Sequence, residues 1–300
     1  MFTYTYEDTS LGAGVDIYVI DTGINIGHNE FGGRAEYGWS AYSSADDGNG
    51  HGTHCSGTAA GSSFGVSSNA NLIAVRILDS SGSGTTSAVL GGLDYVVDAH
   101  NARKSQSGFI GSVASMSWGF TGRSTVVEEA LTAMVDAGVH GAAAAGNSNT
   151  DACTMTPGSL GGDGPLVSVG ASDIDDEIAY FSNTGPCVDV YAPGVDVLSA
   201  WRGSSSATNV ISGTSMATPH IAGLMAYLLE QNGSMSPAQL KQMIVNMAIE
   251  GELQTRSDIV RGGELIIANN GVTTVQEVSI QSEAFPYEME MVEGGNKLYW

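Results

Sequence analysis

The sequence predicts an α/β fold with a mostly parallel central sheet, and two patterns carry that expectation. Six short runs are almost continuously apolar, and longer stretches with helical periodicity lie between several of them. A strand that is apolar at every position, not at alternate ones, suits a sheet covered on both faces. Strands alternating with helices favour parallel pairing.

The apolar runs fall at 15–20, 72–78, 113–118, 139–145, 166–170 and 188–192, each short enough to be a buried strand. Residues 86–100 and 124–137 read as amphipathic helices. The second opens on Ser124, carries Glu128 and Glu129 early and meets Gly138 just past its end, the expected order of start and stop signals. Residues 215–230 and 237–247 form a helical pair parted by Asn232-Gly233. Glycine and serine cluster at 80–84, 146–149, 158–164 and 203–206, short connections rather than interdomain linkers. The expected organisation is one domain over residues 1–270 and an appended acidic tail over 271–300, where five Glu meet a single Lys. The N-terminus shows neither a basic nor an apolar signal-peptide region, and strand-like sequence begins almost at once, so upstream sequence is expected to be missing.

Composition removes several function classes. Ten Lys and Arg against 32 Asp and Glu give a net charge of -22, which leaves no basic patch for nucleic acid or an anionic membrane surface. No apolar run approaches the ~20 residues needed to span a bilayer. The 42% hydrophobic share is ample for a core, and three cysteines are too few for a disulfide scaffold.

Reactive groups stand where an open parallel sheet binds ligands, outside the carboxyl ends of its strands. Asp21 ends one run and Asn147 follows another; alone, each reads as a turn former. His51-Gly52-Thr53-His54-Cys55 follows the loop Asp46-Asp47-Gly48-Asn49-Gly50 and opens a small-residue helix. A zincin would need histidines at i and i+4 with a glutamate between them, so His54 and Cys55 read as packed helix residues. Gly213-Thr214-Ser215-Met216-Ala217-Thr218-Pro219-His220 sets a serine at a helix start between small residues, either as a plain N-cap or as an exposed nucleophile. A serine alcohol needs a base to take its proton and a carboxylate to orient that base. Asp21, His51 and Ser215 supply the set in the order Asp, His, Ser, which differs from the α/β-hydrolase and chymotrypsin orders and matches subtilisin.

These three motifs resemble those of the subtilisin-like serine proteases (subtilases, peptidase family S8), and Cys55 directly after His54 resembles the proteinase K branch. The resemblance runs from about Gly14 to about Asn270. It implies a three-layer α/β/α fold, Ser215 as nucleophile, His51 as general base, Asp21 as its orienting carboxylate, and Asn147 as an oxyanion-hole donor. His54 becomes a structural histidine. Extended peptides would pair with the edges Gly82-Ser83-Gly84 and Ser117-Trp118-Gly119, while Ala144, Ala145 and Gly146 line the pocket before the scissile bond. Trp118 stands where the branch commonly has leucine. Cys153 and Cys187 fall where relatives place a disulfide, the alternative being two buried thiols, and Cys55 is left as a free thiol behind His51. Asp189 with the carbonyls of Gly164 and Leu166 matches a structural calcium site. The chemistry itself requires no cofactor.

By the same resemblance the expected activity is a secreted or vacuolar endopeptidase of broad specificity. It would act as a monomer on polypeptide substrates and be folded by its own propeptide. The competing expectations are a kexin-like processing protease selective for basic residues, which the negative charge favours, and a non-catalytic homologue. Asn232-Gly233-Ser234 is permissive for N-glycosylation.

Overall fold

All six apolar runs enter one nine-stranded sheet. The computed structural model describes Tyr6, residues 9–255 and residues 262–272, so the expected acidic tail lies outside the described residues from position 273 onward. The chain runs through β1 (Val15–Asp21), β2 (Ala35–Ser40), α1 (His51–Ala60), β3 (Asn71–Arg76), α2 (Thr86–Arg103) and β4 (Gly111–Met116). It continues through α3 (Thr125–Asp136), β5 (His140–Ala144), β6 (Val167–Ser172) and β7 (Val190–Pro193). A hairpin of β8 (Val197–Ala200) and β9 (Thr208–Ile211) leads into α4 (Thr214–Asn232) and α5 (Pro237–Met247), then the short strands β10 (Ile249–Glu250) and β11 (Ile266–Ile267).

The sheet order is β10-β11-β7-β6-β5-β4-β1-β3-β2, parallel throughout except for β10 against β11. Its faces are covered differently. Val15, Ile17 and Val19 of β1 join the apolar cluster that contains α4, while Tyr18 and Ile20 join the one that contains α2 and α3 residues. Burial on both faces explains why β1 reads as a continuous apolar run, and the layers are α/β/α as the resemblance implied. The helix α4 is buried almost from end to end, as expected of a helix that is apolar all round.

Three features differ from what periodicity suggests. The strand β2 carries Glu36, Tyr37 and Trp39 at the sheet edge, where only one neighbour must be satisfied and a bulge at Gly38 shifts its register. The hairpin β8–β9 stands as a separate two-stranded sheet. Ser124 precedes α3 without its side chain capping the helix; its N–H instead donates to Thr156 Oγ1 at 2.9 Å.

Connectivity fixes where a site can form. From β1 the chain moves outward to β2 and β3, then returns across β1 to β4 on the other side. The strands β1 and β4 are therefore adjacent but lead to opposite halves of the sheet, and the crevice at their carboxyl ends is the switch point. Beside that end, a disulfide joins Cys153 to Cys187 across a separation of 34 residues, with Cα atoms 5.2 Å apart. Replacing both cysteines by alanine is expected to lower stability by about 3–4 kcal/mol in the chain-entropy picture, read as a fall in the denaturation midpoint. An unchanged midpoint would remove the bond from the stabilising set.

Candidate active site

At the end of β1, Asp21 is fully buried. Its Oδ1 accepts the Thr22 N–H at 2.7 Å, and His51 Nδ1 donates to Oδ1 at 2.8 Å and to Oδ2 at 3.0 Å. That donation fixes the tautomer: the proton sits on Nδ1, and Nε2 carries the basic lone pair. Burial alone would drive the His51 pKa down, but the Asp21 carboxylate in contact outweighs it and the net direction is well upward. Cys55 lies 3.9 Å from His51 Nδ1, and burial pushes its thiol up. Asp21, His51 and Cys55 cluster closely enough to suggest a metal. The carboxylate–imidazole pairing and a thiol held protonated make it a hydrogen-bonded group instead. His54 turns away and donates through Nε2 to the Val197 carbonyl at 2.9 Å; burial holds its pKa at about 4, so it is a neutral structural histidine.

The loop that carries His51 is tied to β1 through Asp47, a residue the motif pattern did not single out. Asp47 Oδ1 accepts from Thr22 Oγ1, Asn49 N and Gly50 N at 2.9, 2.9 and 2.8 Å. Its Oδ2 accepts from Thr53 N at 2.9 Å and Thr53 Oγ1 at 2.6 Å. Thr22 Oγ1 in turn accepts the Gly52 N–H at 2.9 Å. Gly52 lies so close to the Gly23 carbonyl and Asp21 Cβ that any side chain would collide with them. The start of α1 thus rests directly on the end of β1, which sets the Asp21–His51 distance.

Ser215 lies in the first turn of α4, and Pro219 follows four residues later. A residue at that position would ordinarily donate its N–H to the Ser215 carbonyl, but proline has none. The freed carbonyl accepts from Ser117 Oγ at 2.8 Å and Cys55 Sγ at 3.5 Å, binding the serine backbone to the ends of β4 and α1. Reciprocally, Ser215 Oγ donates to the Ser117 carbonyl at 3.1 Å.

Asn147 is fixed through its acceptor oxygen. Thr214 N and Thr214 Oγ1 donate to Oδ1 at 2.8 and 2.9 Å, which turns the amide nitrogen toward Gly213. A Cβ on Gly213 would sit 3.5 Å from Asn147 Nδ2 and 3.6 Å from the Ser215 nitrogen. Both nitrogens therefore border the small volume that Gly213 leaves open. Ser215 N–H belongs to the helix's first turn, where no intrahelical acceptor exists.

The segments expected to contact substrate lie at strand ends and in a turn. Ser117, Trp118 and Gly119 extend from β4, while Ala144, Ala145 and Gly146 end and follow β5. Gly82, Ser83 and Gly84 lie in a turn organised by Asp79, which accepts from Ser81 and Ser83. The Trp118 indole is buried in the apolar cluster on the α2–α3 face, edge-on to Phe120 at 6.0 Å, so its bulk enters the core. Thr156 accepts the Phe120 N–H at 2.8 Å, and Gly158 packs against the carbonyls of Ala144 and Ala145, closing the crevice floor. Glu128 holds that floor: Arg123 Nε, Thr156 Oγ1 and Ser159 Oγ donate to its Oε1 at 3.0, 2.6 and 2.7 Å, and Arg123 Nη2 to Oε2 at 2.7 Å. Arg123 first, and the two hydroxyls with it, hold its pKa at about 2 against the opposing effect of burial. The sequence marked Glu128 only as an acidic residue near a helix start.

The expected calcium site requires correction. The carbonyls of Gly164 and Leu166 do converge with Asp189, joined by the carbonyl of Gly162, but on the ammonium of Lys241. A divalent cation does not fit where a positive charge already sits.

A buried carboxylate–imidazole pair at a strand end, beside a helix-start serine and in the order Asp, His, Ser, defines the constellation of subtilisin-type serine hydrolases. The comparisons agree: the model of the subtilase family, peptidase S8, matches residues 12–278, and the chain belongs to that family. It is 50% identical over 259 residues to the subtilisin-like serine protease pepC of Aspergillus niger, covering 81% of this chain and 48% of that protein. Alkaline protease 2 of Aspergillus fumigatus is 47% identical over 277 residues, 87% of this chain and 54% of the relative. The chain thus spans about half the length of the curated relatives it matches. Among solved structures, a cold-adapted subtilisin-like serine proteinase aligns with a TM-score of 0.78 at 41% identity, over 88% of this chain and 92% of that one.

Two outcomes test the electrostatics without reference to activity. Asp21→Asn removes the charge that favours imidazolium, so the His51 pKa, followed by NMR titration, is expected to fall; an unmoved value would overturn the assignment. Glu128, with a folded pKa near 2 against an ordinary 4.5, contributes stability that is complete above about pH 4.5 and lost as pH falls toward 2. Glu128→Gln should lower the melting temperature at neutral pH and flatten its decline between those values.

Proposed function

We propose that residues 1–270 form the catalytic domain of a serine endopeptidase of the proteinase K branch, acting on extended polypeptides. The observation that carries this reading is the paired donation of His51 Nδ1 to Asp21 at 2.8 and 3.0 Å, which leaves Nε2 as a base at the crevice beside Ser215. In the proposed reaction Ser215 swings its hydroxyl from the Ser117 carbonyl toward His51 Nε2 and attacks the scissile carbonyl as its proton moves to the imidazole. Asn147 Nδ2 and Ser215 N–H stabilise the resulting oxyanion in the space that Gly213 leaves open. His51 then protonates the leaving amine, and water hydrolyses the acyl-enzyme by the same route in reverse order. Only protein groups take part.

Small walls at Ala144, Ala145 and Gly146 suit varied apolar side chains, and none supplies a carboxylate for Arg or Lys; this favours broad specificity over the kexin-like alternative. Substrate would pair with Gly82–Gly84 on one side and Ser117–Gly119 on the other. The Cys153–Cys187 disulfide supports a secreted or vacuolar location, since such bonds persist in oxidising compartments. A net charge of -22 disfavours self-association and supports a monomer. A propeptide is the folding partner that family membership suggests.

Fluorophosphonate labelling tests the core of the proposal: the protein should label, and Ser215→Ala should not. Labelling that survives Ser215→Ala, or none in either folded protein, would sink it, the latter in favour of the non-catalytic reading. Asn147→Ala should lower kcat with little change in KM, by the ~10²–10³ already known for the corresponding subtilisin donor. A peptide panel varied before the scissile bond should show no strong Arg or Lys preference. Because His51 must be neutral to act as base, kcat/KM should rise with pH through a midpoint above the ordinary histidine value of about 6.5.

A further inference from the structure

Lys241 occupies a cation cradle. Its ammonium donates to the carbonyls of Gly162, Gly164 and Leu166 at 2.7, 2.8 and 2.7 Å and lies 3.0 Å from Asp189 Oδ1. Four oxygens from two separate stretches of chain thus converge on one positive centre. An ammonium has three protons to donate and no acceptor site, and the three carbonyls use all three directions while the carboxylate supplies the charge. Asp189 is itself anchored: its Oδ2 accepts the Ser168 N–H at 2.7 Å and its Oδ1 the Gly162 N–H at 3.1 Å.

The lysine reaches this point because its helix is fixed at both levels. Ser236 and Gln239 form a reciprocal cap at the start of α5, with Pro237 in its first turn. Leu240 and Ile244 are fully buried beneath the helix, so Lys241 projects from a defined turn and lays its stem along the loop.

We propose that Lys241 is a built-in replacement for a bound divalent cation: its ammonium holds the Gly162–Leu166 loop to Asp189 in this chain, and removing it exposes a latent calcium site. The chemistry of the cradle supports both halves. Three carbonyls and a carboxylate are hard oxygen donors of the kind calcium selects, and its usual distances of about 2.3–2.6 Å ask each oxygen to move inward by only a few tenths of an ångström. With the ammonium in place, an arriving calcium would meet a like charge at the centre of its own ligands. With the ammonium gone, Asp189 and three carbonyl dipoles would face one another uncompensated. A cavity of about 850 Å³ opens beside the cradle, with Asp163 and Glu264 on its wall, so water and a metal ion have access.

The loop held in this way continues backward into Thr156–Gly158, the floor of the crevice. The inference concerns stability and ion response and is independent of catalytic turnover.

The test is thermal melting in millimolar calcium and in excess chelator, with Ser215→Ala present in every sample to prevent self-digestion. The Lys241 protein is expected to melt at the same temperature in both media. Lys241→Ala should melt lower in chelator and gain roughly 5–10 °C in calcium at about a hundredfold over its dissociation constant. Equal calcium responses in the two proteins, both absent or both large, would overturn the proposal, the second because the ion would then bind elsewhere. If Lys241→Ala does not fold in chelator, Lys241→Gln, which keeps amide donors for the carbonyls, is melted in the same media with the same two readings. Folding of these variants restored by calcium supports the proposal, and failure of both in both media overturns it.

Discussion

A helix that begins in the middle of a protein must find partners for its open end without water, and the first turn of α4 is such a beginning. Thr214 through Thr218 are all buried, and Pro219 releases one carbonyl more than an ordinary helix start would. The Thr214 donors and the Ser215 carbonyl are each met by particular residues from other elements. Asn147 takes the Thr214 N–H and hydroxyl, while Ser117 and Cys55 take the Ser215 carbonyl. Satisfying these groups brings the ends of β4, β5 and α1 to one point. The Ser215 nitrogen borders the space kept open by Gly213. The nucleophile's surroundings follow from the requirement that buried backbone groups be paired.

A second constraint is the scarcity of cations. With 32 acidic and 10 basic residues, the protein buries carboxylates that few Lys or Arg can neutralise, and it solves each case differently. Asp21 uses an imidazole and Asp47 uses N–H and hydroxyl donors. Glu128 shares an arginine with two hydroxyls, and Asp189 takes a lysine. Asp16 is met by Arg103 Nε at 2.8 Å and by Asn71 Nδ2 at 2.8 Å. Where the counter-charge is a titratable ring, as at Asp21, the pair can exchange a proton with a substrate. Where it is Arg or Lys the pair is fixed. The -22 charge, which invited a reading about partners, is better understood through what it demands of the interior.

The central strands and the residues at the starts of α1 and α4 were legible because each follows from local sequence. Burial on both faces writes a continuous apolar run, and a nucleophile at a helix start needs small neighbours in sequence. The residues that were not legible act across distance. Asp47 lies inside a quoted motif, yet nothing local says that its donors include Thr22, just past β1, and Thr53 of α1. Glu128 reads as an ordinary acid in a helix's first turn until Thr156 and Ser159, about thirty positions on, are brought against it. Lys241 is one of only three lysines in the sequence and sits beside Leu240 on a helix with an apolar face, a weak signal of burial. Its partners, 52 to 79 positions earlier, emerge only from the fold. The expectation of calcium identified the right oxygens and missed the cation, since main-chain carbonyls at a loop bend are implied by a resemblance whereas a side chain arriving from another helix is not.

These distant contacts share a location. The stretch from Cys153 to Leu166 has only short 3-10 turns for regular structure and includes Gly158, Gly161, Gly162 and Gly164. Glycines of this kind lose the most conformational freedom on ordering, and a loop so composed would not hold its shape unaided. It is restrained by a disulfide at Cys153, a hydrogen-bonded carboxylate at Thr156 and Ser159, and an internal ion pair at Gly162 to Leu166. The glycines cannot readily be replaced by stiffer residues: Gly158 lies against the Ala144 and Ala145 carbonyls, and Gly161 against the Cys187 carbonyl and the Asp189 side chain. Close approach to the crevice requires flexible residues, and flexible residues require outside supports. The concentration of three unlike restraints on one loop is therefore a consequence of packing main chain closely against the ends of β5 and the segment before β7.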